Sequence, residues 1–315
     1  MAETSPRGTG AGSFGRDTLL VARFELGEAL RSRLLLVMLL LFMAGGALGA
    51  WGYTAFVSTI ESGAAHFNMG PQPGEKPGAA LGRFRESRSY RDLVHMIVRN
   101  DEKKADYFAA LPPLVVFYSW AALAFTPWLV LFTSAETIAS EVASRGIRFT
   151  LLRTRRLAYA LGKGLGQAAI VAGVTAASGL VFFFVAWLRL AGFEGRATAL
   201  GMLSLWPRLM IYNLPILAWA LLASMVTASA NVARILSLGG AVGLAIVAQI
   251  AALVAARQGT FAVVWRALGF LMPFGHKDGL QYPPGPDFVT DVVVCLALTV
   301  VYFCAGFAVL RRRDV

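Results

Sequence analysis

Charged side chains are sparse in this chain, and the residues able to do polar chemistry gather between two apolar runs. Residues 134–163 carry Arg145, Arg148, Arg153, Arg155, Arg156 and Lys163 against Glu136 and Glu141. Glu141 and Arg145 stand at i and i+4 with the acid N-terminal, the favourable order for a helical ion pair, and Arg148 continues that face. Gly146 is placed to end or bend this first short helix, after which Phe149 and Leu152 give a second one an apolar side. A short basic helical elbow of this kind suits docking at a membrane surface rather than catalysis.

Other chemistries lack their residues. His66, His95 and His276 fall in three separate loop stretches with no HxxxH or His/Cys cluster, so they read as ordinary surface groups and no metal site is expected. Cys295 and Cys304 are nine residues apart on one predicted helix, about 13 Å along its axis, too far to bridge, and read as packing residues. No GxSxG or HExxH frame is present, and no GxxxxGK[ST] phosphate loop. Gly162-Lys163-Gly164 lacks the following Ser or Thr and opens an apolar helix. No cofactor is expected, and the chain is not expected to be an enzyme.

Of the 315 residues, 57% are hydrophobic and 15% charged, with a mean hydropathy of +0.62. So apolar a chain cannot hide its surface in one soluble core, and membrane lipid must be its solvent. The net charge of +11 comes from basic residues flanking apolar runs rather than from a basic stripe interleaved with aromatics, which argues against nucleic acid. Six runs each supply the approximately 20 residues a span needs: 34–57, 111–133, 165–188, 209–230, 235–256 and 289–310. None contains Asp, Glu, Lys or Arg in its interior; Gln167, Asn213 and Gln249 are their strongest polar groups, and Arg189 and Arg208 lie at ends from which they can snorkel. An ion-coupled carrier needs an ionisable group inside the membrane, so energy is expected from elsewhere.

The remaining segments follow from composition. Residues 1–16 are Gly/Ser/Thr/Ala-rich and expected to be a disordered tail. Residues 17–33 place Leu19, Ala22, Leu26 and Ala29 on one side of an amphipathic helix suited to the membrane interface, with Arg23, Glu28 and Arg31 elsewhere. Residues 58–110 form a long loop in which Tyr90, Val94, Ile97 and Val98 suggest a helix, and residues 257–288 suggest an aromatic interfacial helix followed by a turn. Both read as a lid or partner surface. Gly45 with Gly49, Gly162 with Gly166, Gly239 with Gly243, and Ala169 with Gly173 are small-residue pairs that let helices approach closely, within the bundle or between two copies. Pro127 and Pro215 can kink their spans. The basic short loop at 135–163, Arg23, Arg31 and Arg33, and the terminal Arg311, Arg312 and Arg313 place both termini in the cytoplasm and loop 58–110 outside it.

The sequence Glu136, Ile138, Glu141, Gly146, Leu151, Leu152, Arg155, Arg156, Gly162 and Lys163 resembles the loop between the second and third helices of ABC-2 type exporter permeases. Two positions depart from that pattern: the frequent Gly-Thr is Gly146-Ile147, and Thr154-Arg155 replaces the usual Pro before the basic turn. The resemblance implies an all-α polytopic protein, a single transmembrane domain over 1–315 with an elbow helix ahead of six spans and a coupling helix between spans 2 and 3. It also implies that Glu136, Glu141, Arg145, Gly146, Arg148, Leu151, Leu152, Arg155, Arg156 and Lys163 form the contact with a separate ABC ATPase subunit. The expected assembly pairs the chain with a second copy or a related permease in the bacterial inner membrane, and exports a cargo the sequence does not identify. A permease similar to those of copper-centre maturation systems is a variant of this reading. A membrane partner that transmits ATPase motion to an extracytoplasmic protein without transport is its rival.

Overall fold

The computed structural model describes residues 11–65, 77–78, 94–95, 102–191, 193–255 and 260–313. These residues form helices and turns with no strand among them. In order the helices are α1 (Ala11–Arg31), α2 (Arg33–Ala65), α3 (Glu102–Ala110), α4 (Pro113–Ser134), α5 (Ala139–Ala143), α6 (Gly146–Leu151), α7 (Arg156–Arg189), α8 (Gly195–Val226), α9 (Ala230–Ala255), α10 (Thr260–Phe270), α11 (Lys277–Gln281) and α12 (Phe288–Arg312), with a 3₁₀ turn at Pro273–His276.

Among the described residues, six segments are long and apolar enough to cross a bilayer: Arg33–Ser62, Pro113–Ala143, Arg156–Arg189, Gly195–Val226, Ala230–Ala255 and Phe288–Arg312. Each overlaps one of the six expected runs and most extend beyond it. The third begins nine residues earlier than expected, so Lys163 lies inside it rather than in the loop. Residues 11–16, expected to be disordered, form the first turns of α1. The helix expected around Tyr90, Ile97 and Val98 lies outside the described residues; Val94 is buried.

The spans sort by what they face. α8 is the most buried, packed against α12, α4, α9 and α7, with Leu200 and Leu203 of its first half left exposed. Helices α2 and α12 turn Leu36, Leu40, Leu41, Val293 and Val300 outward, as expected where lipid replaces water as the surrounding medium. Pro127 in α4 and both Pro207 and Pro215 in α8 lie within continuous helix, so none of them breaks its span. Between them the shared core holds Leu123, Leu129, Tyr159, Leu209, Tyr212 and Ile216.

The first helix is not a free interfacial helix. It lies along α7, with Val21 over Gly162 and Glu25 over Gly166. A Cβ on Gly162 would sit 2.5 Å from Val21 Cβ, and one on Gly166 would sit 2.7 Å from Glu25 Cβ. The Gly162/Gly166 pair thus serves packing within the chain, where van der Waals contact between closely approaching backbones substitutes for the missing hydrophobic effect. Gly45, Gly173, Gly239 and Gly243 meet nothing within 4 Å.

Candidate coupling site

The loop leaving α4 folds as two short helices, α5 and α6, before α7 begins. The break falls at Arg145, whose φ of 59° is left-handed, and not at Gly146, which opens α6 in ordinary helical geometry. The first free amides of α5 are capped from another span: Ser224 Oγ of α8 accepts from the N–H groups of both Ile138 and Ala139 at 2.9 Å. One buried hydroxyl therefore fixes the loop to the central helix.

Glu141 does not lie on an exposed face with Arg145. Its carboxylate turns into the bundle, forms an ion pair with Lys163 and accepts from Tyr159 Oη at 2.8 Å. No Glu141–Arg145 ion pair occurs among the described residues; the left-handed turn at Arg145 interrupts the helix that an i, i+4 pair requires. Lys163, only 3% exposed, also pairs through Nζ with Glu25 of α1. Gln167, one turn further along α7, donates to Glu25 Oε1 at 2.7 Å and accepts from Ser134 Oγ of α4 at 3.2 Å. One lysine thus stands between two carboxylates, and neutral donors complete the coordination of both. Such satisfaction is what makes a charge tolerable away from water.

The lattice lines a cavity of about 240 Å³ bounded by α1, the start of α2, the end of α4 and α7, with Glu28, Glu136 and Ser140 on its wall. Carboxylate oxygens of Glu25, Glu28 and Glu141 come within 4.8 Å of one another, close enough for a cation. Lys163 already pairs with Glu25 and Glu141 and supplies the positive charge that a metal ion would bring.

The other expected contact residues divide into two sets. Glu136 pairs with Arg234 of α9. Arg156 turns away from the loop surface and donates to the carbonyls of Arg311 at 2.6 Å and Arg313 at 3.1 Å, neutralising the carbonyl end of α12. Arg313 in turn donates to Thr227 O at 2.8 Å and to Val226 O, closing the end of α8. Leu151 packs against the core. What projects from the bundle is Phe149 at 76% exposed and Leu152 at 83%, with Arg145, Arg148, Arg153 and Arg155 around them. The sequence reading missed Glu25, Tyr159, Gln167, Ser224 and Arg234. Its available signal was the i, i+4, i+8 series Tyr159, Lys163, Gln167 on α7, facing an acid that interrupts the small residues of α1.

A multi-pass helical membrane protein with an N-terminal elbow helix and a two-helix loop between its second and third spans defines the class. Residues 19–315 match the sequence model of the ABC-2 family transporter proteins, and the chain belongs to that family. It is a membrane permease subunit of an ABC transporter, a class whose members work with an ABC ATPase. No curated protein matches the chain.

Proposed function

We propose that the chain is the permease half of an exporter, and that α5 and α6 deliver the motion of a separate ATPase subunit to the spans. The observation that carries this reading is the pairing of an exposed apolar tip, Phe149 and Leu152, with a buried ion lattice anchored on the adjoining helix α5. An exposed Phe and Leu ringed by arginines have the composition of an interface centre with a basic rim. Behind that tip, Glu141, Lys163, Glu25 and Gln167 join the loop to α1, α4 and α7, so displacement of the tip is passed to three helices together.

In this reading the docking residues are Phe149, Leu152, Arg145, Arg148 and Arg155, whereas Glu141, Lys163 and Arg156 act as transmission residues behind them. The chain itself hydrolyses no ATP, since it carries no phosphate loop. In this reading cargo passes between two permease copies. The test is co-purification from native membranes. The tagged chain should bring down an ATPase subunit, and the double change Phe149→Ser with Leu152→Ser should lose it while the chain's membrane yield and thermal transition stay put. Undiminished capture by the double variant would remove the tip from the mechanism.

A further inference from the structure

At the end of the bundle opposite the coupling loop, against Asp291 and so roughly 32 Å along α12 from its arginine-rich terminus, His276 is buried at 2% exposure. The sequence alone marks it as an ordinary surface histidine. Instead, Nε2 lies 2.8 Å from the Phe270 carbonyl oxygen at the end of α10, and Nδ1 lies 2.6 Å from Asp291 Oδ1 in the first turn of α12. A carbonyl only accepts, so Nε2 carries a hydrogen. Nδ1 then faces a carboxylate, and the short contact needs a second hydrogen between them, which the more basic imidazole carries on Nδ1. The pair therefore holds one proton more than a neutral imidazole beside a carboxylate.

The surroundings are built for this contact. Gly279 of α11 lies against Asp291 Oδ2, where a Cβ would overlap the oxygen, and a Cβ on Gly275 would come 2.6 Å from the Gly269 carbonyl. The Phe270 ring stands edge-on to the imidazole, with centroids 5.4 Å apart. The packed elements bring other ionisable groups: Lys277 and Asp278 on α11, Asp287 before α12 and Cys295 within it, Arg266 on α10, and Arg208 and Tyr212 on α8. Arg208 is engaged with the carbonyls of Ser204 and Gln281. The sole ionisable side chain of α9 is Arg234, at its opposite end near Glu136.

We propose that His276 and Asp291 form a proton-operated clamp: while the pair keeps its extra proton, the end of α10, the Pro273–His276 turn and the start of α12 are held as one unit, and loss of that proton releases the turn. Burial pulls the His276 pKa down, but the hydrogen bond to Asp291, the Phe270 carbonyl and the Asp291 charge outweigh it and raise the pKa above the usual histidine value. The sign follows. With the folded value raised, the clamp is fully formed below the ordinary pKa of about 6.5 and is lost as pH rises through the folded value. Neither the partner ATPase nor transport enters this inference.

The experiment uses the full chain in lipid nanodiscs carrying His66→Gln and His95→Gln, which leaves His276 as the one remaining histidine. Nitrogen chemical shifts of labelled histidine report its protonation, and hydrogen–deuterium exchange, corrected for intrinsic rates, reports the 271–287 segment. Both ring nitrogens should remain protonated above pH 6.5, with exchange of the segment rising at least tenfold as they titrate. In Asp291→Asn the histidine should titrate lower and the exchange should cease to follow that pH range. Titration of His276 at or below the ordinary value overturns the clamp, as does protection of 271–287 that is unchanged through the titration. Should Asp291→Asn fail to fold, the two measurements on the Asp291-containing protein decide the matter.

Discussion

Lys163 sets the charge balance at the loop end of the bundle, because it faces Glu25 and Glu141 together. Lys163→Met leaves two carboxylates turned toward each other without a cation, and removing one partner of a buried pair costs about 3–5 kcal/mol. Thermal unfolding in detergent should therefore show a large fall in the transition temperature. Glu141→Gln should cost much less, since Lys163 keeps Glu25 and the amide oxygen still accepts from Tyr159. Equal losses in the two variants would mean that the lysine is not the centre of the lattice. Arg145 offers a second test: a left-handed φ costs a non-glycine residue about 1–2 kcal/mol, so Arg145→Gly should raise the transition temperature. The loop was legible as two short helices from its basic residues and Gly146, and Phe149 and Leu152 as the apolar side of the second, which projects from the bundle. The inward turn of Glu141 was not, because an i, i+4 spacing fixes a pair only if the helix is unbroken, and the break falls at Arg145 rather than at the glycine beside it.

Helix positions were legible wherever lipid dictates them, since a span must be long, apolar and internally hydrogen-bonded. Polar contacts between helices depend on how the spans rotate and pack, and no run of apolar residues records that. Thus α1 carries Leu19, Leu20, Phe24 and Leu30 on its exposed side while Thr18, Val21 and Glu25 face α7. Composition alone points to the interface and misses the acid that anchors the helix. The packing distances make this separable. Gly162→Val would place new atoms inside Val21, so α1 should detach and its amides should exchange faster, by about the overpacking cost of 1–3 kcal/mol. Gly243→Val meets nothing within 4 Å of the new Cβ and should leave the exchange of the single chain unchanged. If Gly243→Val shifts oligomeric state in cross-linking while folding normally, the open glycine face of α9 packs against a second copy.

Among the described residues, the basic groups concentrate at one end of the bundle. Arg145, Arg148, Arg153 and Arg155 border the α5–α6 tip, Arg156 and Arg313 close the ends of α12 and α8, and Arg311 and Arg312 stand beside them. At the other end, ionisable groups of both signs are present: Arg266, Lys277, Asp278, Asp287 and Asp291. Short loops rich in Lys and Arg stay on the cytoplasmic side, so this asymmetry predicts a topology with α5, α6 and the end of α12 in the cytoplasm and the 271–287 turn outside. The elbow helix agrees, because Glu25 is bound to Lys163 near that same loop. With Cys295 and Cys304 replaced by Ser, a single cysteine at Pro284, an exposed turn position, should react with a membrane-impermeant maleimide added to intact cells. A single cysteine at Phe149 should react only after the membrane is opened. The reverse pattern would put the α5–α6 tip outside the cell, out of reach of any cytoplasmic ATPase, and the ion lattice behind it would then have to serve the structure of the bundle alone.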